Sequence, residues 1–142
     1  MISKLIVGFT LMAICVVIHA SSVTSALRWV RVHATRQLQY VSRIWLFVRI
    51  AGWIIMSHLL EICVWAAFYW WRRALPDLPS SVYFSAVTYT TTGYGDLVLP
   101  PDWRLVGAIE ALTGILMCGW STGFFFAVVS RLEWAPATAS KG

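Results

Sequence analysis

Three apolar runs, each long enough to cross a bilayer as a helix, dominate the 142-residue chain and restrict it to one environment. They occupy residues 1–20, 44–71 and 103–132, and the first is interrupted only by Lys4 and His19. A hydrocarbon core of about 30 Å needs about 20 apolar residues in helical form, and every run reaches that length. Composition agrees, since 59% of the residues are hydrophobic and only 12% are charged, against roughly 25% charged in soluble domains. A soluble fold of this size lacks the polar surface to cover so many apolar side chains. The expected fold class is therefore an all-α membrane protein.

The net charge of +5 is unevenly placed. Arg28, Arg31, Arg36 and Arg43 fall between the first and second runs and Arg49 in the first turns of the second, as at the cytoplasmic ends of membrane spans. With that block inside, the N-terminus lies outside, the second run leads outward, and the third returns to a cytoplasmic Arg131 and Lys141. The expected location is a multi-pass one in the plasma (inner) membrane. No nucleic-acid motif accompanies the charge, so lipids rather than nucleic acid are the expected contact. Residues 21–43 read as a basic amphipathic helix on the inner membrane surface. A voltage sensor needs arginines at every third position along an apolar span, and only Arg28 and Arg31 keep that spacing. Residues 1–20 also resemble a signal peptide, but a retained span preserves the charge asymmetry. Cys15, Cys63 and Cys118 lie one in each run without CxxC spacing, and read as buried small apolar residues rather than disulfide or zinc ligands.

Between the second and third runs the chain changes character. Trp45 and the Tyr69-Trp70-Trp71-Arg72-Arg73 stretch mark two interfaces, and Pro76 and Pro79 then interrupt the helix. Residues 80–91 suit a helix too short to span, with a serine at Ser80 or Ser81 as N-cap. Next stands Thr90-Thr91-Thr92-Gly93-Tyr94-Gly95-Asp96. A dehydrated cation needs a ring of oxygens in place of its water shell, and backbone carbonyls supply one when successive peptides turn the same way. That conformation calls for positive φ at alternate residues, where glycine has no Cβ to clash. Gly93 and Gly95 are spaced for it. Tyr94 is expected to point away and brace the strand against the short helix.

This stretch resembles the T-V-G-Y-G-D filter of potassium channels, with Thr92 where valine is commoner. Over about residues 44–131 the order of outer helix (44–71), pore helix (80–91), filter (91–96) and inner helix (103–132) is similar to the bacterial two-helix ion-channel family, with one extra N-terminal span. The resemblance implies that the carbonyls of Thr91, Thr92, Gly93 and Tyr94, with the Thr91 hydroxyl, coordinate K⁺. Gly95 completes the strand and Asp96 stands at the outer mouth. It also implies a homotetramer, because one copy of the motif supplies a quarter of a ring. Tyr94 favours K⁺ over Na⁺, whereas Thr92 keeps a nonselective monovalent cation channel as the alternative. A non-conducting accessory membrane subunit is the rival from another class.

Gly114 and Gly119 in the third run are candidate gating hinges, with close helix packing as the other reading. Glu61 and Glu110 are intramembrane carboxylates at similar depth, candidate modulators or structural hydrogen-bond partners. His58 lies one turn before Glu61 on the same face. The family often carries a pore-helix glutamate where this chain has Val87. No catalytic set or nucleotide-binding loop is visible, so neither an enzyme nor a cofactor beyond permeant K⁺ is expected. Residues 133–142 form a short cytoplasmic tail with no room for a soluble regulatory domain.

Overall fold

Each apolar run lacks proline and becomes one unbroken helix in the computed structural model, which describes residues 1–33 and 40–133. Helix α1 is Ile2–His33, α2 is Tyr40–Trp71, α3 is Leu78–Tyr89 and α4 is Arg104–Glu133, the last preceded by a 3₁₀ turn at Pro101–Trp103. Helices α1, α2 and α4, of 32, 32 and 30 residues, rise about 45–48 Å, more than a hydrocarbon core requires. The all-α membrane fold is as expected.

Helix α1 corrects one boundary. It continues through Ala20 to His33 instead of giving way to a separate surface helix. Val23, Ala26 and Val30 hold the extension by burying against Leu46 and Ile50 of α2 and Phe124 and Val128 of α4. Arg28 and Arg31 thus ride on the end of a span, while Arg36 lies outside the described residues. Helices α1 and α4 run parallel: Lys4 Nζ sits 3.4 Å from the centre of the Trp103 ring, and further along both helices His19 meets Ser121. The chain's first residues therefore share the end of the bundle that carries residues 90–96, and Arg28 and Arg31 sit at the other end.

Helix α2 ends before either proline. Arg73 takes a left-handed φ of 51°, the Ala74 amide donates to Tyr69 O and the Arg73 amide to Trp70 O. That pair of bonds is a Schellman cap. Helix α3 then starts at Leu78, two residues earlier than expected, and its N-cap is Asp77 rather than a serine. The Asp77 carboxylate accepts from the Ser80 amide at 2.7 Å, and Pro79 occupies a first-turn position where no amide is needed. Cys15 is buried as expected, but Cys63 and Cys118 are exposed on the single chain. They face outward because α2 and α4 each turn one side away from the bundle.

Candidate functional site

The Thr90–Asp96 segment begins as the cap of α3. Helix α3 stops at Tyr89, the Thr91 amide donates to Thr88 O at 2.9 Å and the Thr92 amide to Val87 O at 3.0 Å, with Thr91 at a φ of 59°. A β-branched residue is rarely left-handed, so backbone strain is concentrated here. Gly93 follows at φ 56° and Gly95 at φ 78°, while Thr92 and Tyr94 are not left-handed. Alternation of hand at 91, 93 and 95 turns successive peptide groups to one side. Residues 90–96 are all exposed on the single chain, and a Cβ added at Gly93 or Gly95 would meet nothing within 4 Å. The constraint at both glycines is conformational, not spatial.

Tyr94 does not brace the strand on its own chain. It is 72% exposed, because the residue between two left-handed neighbours projects away from α3. Tyr83 fastens the loop instead, its hydroxyl donating to Asp96 Oδ2 at 2.7 Å. The Thr90 hydroxyl closes the near end on Ala86 O at 2.7 Å.

Behind the pore helix, Gly114 of α4 lies against the last turn of α3. A Cβ there would sit 1.8 Å from Tyr89 O, so close packing demands this glycine. Gly119 is exposed with nothing near it. The same turn of α3 is held by two polar networks. In one, Glu110 Oε2 accepts from the Tyr69 hydroxyl at 2.8 Å, and Oε1 meets Ser85 Oγ, which also contacts Ile62 O. Three contacts need three hydrogens, Tyr69 and Ser85 supply two, and the carboxyl carries the third.

The second network is a closed ring drawn from all four helices. His19 Nδ1 contacts Glu61 Oε1 at 2.9 Å, His19 Nε2 contacts Ser121 Oγ at 3.0 Å, and Ser121 Oγ contacts His58 Nε2 at 3.0 Å. His58 Nδ1 then meets the Tyr89 hydroxyl at 3.0 Å, and that hydroxyl donates to Glu61 Oε2. His19 and Glu61 are fully buried and His58 partly so. Two neutral imidazoles, a serine and a tyrosine bring four hydrogens to five contacts, so the ring is one hydrogen short. No Lys or Arg is among the described buried residues.

Glu61, Glu110 and His58 were legible as polar residues in apolar runs. Their partners were not, since His19 and Glu61 are 42 positions apart and Tyr69, Ser85, Tyr89 and Ser121 are ordinary residues for a span. Comparison with curated proteins and with solved structures returns no match. A family model described as ion channel matches residues 43–131, which include α3, the filter segment and nearly all of α2 and α4. With more than half of its length matched, the chain belongs to that ion-channel family.

Proposed function

We propose that the channel is potassium-selective, and that four copies surround one pore with the carbonyls of Thr91, Thr92, Gly93 and Tyr94 and the Thr91 hydroxyl lining it. The observation that carries this reading is the alternation of left-handed φ at Thr91, Gly93 and Gly95 in a segment left exposed by its own chain. Carbonyls turned to one side replace an ion's hydration shell only when several chains face one another, and fourfold cyclic symmetry provides that. Asp96, pinned by Tyr83, stands at the outer mouth. Conduction is passive, and the protein sits in the plasma (inner) membrane with the filter end outward and the arginine end in the cytoplasm, as the charge bias favours.

Reconstitution into liposomes under separate K⁺ and Na⁺ gradients tests the reading. Potassium flux that exceeds sodium flux is expected, and Gly93→Ala and Gly95→Ala should abolish it while tetramers still form, because a Cβ disfavours the positive φ at both positions. Equal K⁺ and Na⁺ flux would favour the nonselective alternative that Thr92 raises. Unchanged flux in either glycine variant would remove the filter assignment altogether, and absence of any flux would leave a non-conducting subunit.

A further inference from the structure

We propose that His19, His58 and Glu61 form a binding site for one divalent transition-metal ion of the zinc type, placed behind the pore helix. Each residue offers a ligand atom, and the three atoms lie within 4.8 Å of one another. Zinc bonds of about 2.0–2.1 Å put neighbouring ligand atoms about 3.3 Å apart, so the longest separation closes by about 1.5 Å through side-chain rotation. Two imidazoles and one carboxylate suit zinc, cobalt, nickel or copper, whereas K⁺, Mg²⁺ and Ca²⁺ favour all-oxygen sets.

Two further features point to a cation here. The ring is one hydrogen short when its imidazoles are neutral and its carboxylate brings none, and an ion that takes up lone pairs of His19, His58 and Glu61 removes that mismatch through coordination. The surroundings also orient the ligands. Glu61 Oε2 is held by the Tyr89 hydroxyl, which leaves Oε1 for the ion, and Ser121 Oγ stands 3.0 Å from one nitrogen of each histidine. A carboxylate fixed by an outer hydrogen bond is a recurrent device of metal sites. A fourth position of the tetrahedron is left for water. His58 is the one partly buried member of the cluster. Since Tyr89 ends α3 and Thr91 begins the filter, occupancy bears directly on the pore helix.

The test needs folded protein but no ion flux, so its failure is separable from failure of the potassium reading. The protein in lipid nanodiscs, with Cys63→Ser and Cys118→Ser to remove exposed thiols, is titrated with Co²⁺ and then Zn²⁺. Expected are saturable visible bands of low-coordinate cobalt at one ion per chain, displacement by Zn²⁺, and at least a tenfold loss of affinity in both His19→Gln and His58→Gln. X-ray absorption of the zinc-loaded parent chain requires no ring variant to fold, and should show a nitrogen and oxygen shell containing two imidazoles. No saturable binding, bands that persist in both histidine variants, or fewer than two imidazoles in the zinc shell would each overturn the site, and a ring that takes up only a proton is among those outcomes.

Discussion

Gly114 is the position where a single atom matters most. A Cβ there would fall 1.8 Å from Tyr89 O, and backbone at the end of α3 cannot move without disturbing Thr91. Gly114→Ala should therefore destabilise the fold by about 1–3 kcal/mol, the usual range for overpacking, read as a lower unfolding temperature in detergent. Gly119→Ala, with open space around it, should be neutral or gain up to about 1 kcal/mol of helix propensity; equal losses in the two variants would show that the contact at Gly114 is relieved at no cost. At Glu110, hydrogen counting leads to a second expectation. A carboxyl that carries its own hydrogen toward Ser85 and accepts from Tyr69 is matched by a glutamine amide. Glu110→Gln should change stability by less than about 1 kcal/mol, whereas Glu110→Ala leaves buried hydroxyls unpaired and opens a cavity, at about 2–5 kcal/mol. Thermal unfolding of the two variants side by side decides it, and a large loss in the glutamine variant would mean that the carboxylate is ionised.

The pore helix illustrates how short elements are bounded. Both ends of the loop that leads into and out of α3 use left-handed non-glycine residues, Arg73 and Thr91, in Schellman caps, and its start uses Asp77. The Ser80 amide donates to the Asp77 carboxylate and holds its pKa below the ordinary carboxylate value. Because the folded-state pKa is depressed, the stabilisation is complete above the unfolded value and disappears as pH falls through the folded one. Acidification from about pH 5 to about pH 2 should lower the unfolding temperature of the parent chain more than that of Asp77→Asn, whose amide oxygen caps without titrating. Identical pH profiles would show that the cap contributes nothing to α3. Sequence alone identified a short helix between two spans but put the cap on serine, because Ser80 and Ser81 follow a proline and their identity as caps is locally as good as that of aspartate. Backbone geometry at Asp77, extended at φ −150°, settled the choice.

Across the bundle, α1 is parallel to α4 and packs on its own subunit's α2 and α4, so the N-terminus and the filter occupy one end while Arg28, Arg31, Arg49 and Arg131 lie toward the other. In cells, an impermeant thiol reagent should label Ser3→Cys from outside and leave Arg131→Cys unlabelled, in a background where the exposed Cys63 and Cys118 are replaced by serine. Labelling of Arg131→Cys alone would invert the orientation that the arginine bias favours. Cross-linking of the same preparation should stop at four chains if four copies surround one pore as proposed, and a limit of two or no cross-linked species would count against that assembly.

Hydropathy and glycine spacing are local properties, and they were enough to establish three spans, a short fourth helix, left-handed backbone at Gly93 and Gly95 and the membrane class. Each depends on residues a few positions apart, where bilayer thickness and allowed φ act directly on the chain. The polar ring depends instead on His19, Glu61, Tyr89 and Ser121 meeting from four helices, and Gly114 on how closely α4 approaches α3. Likewise, α1 carries on past Ala20 because Val23, Ala26 and Val30 find partners in α2 and α4. Helix crossings and registers set these contacts, and such long-range packing has no counterpart in a local pattern of residue types.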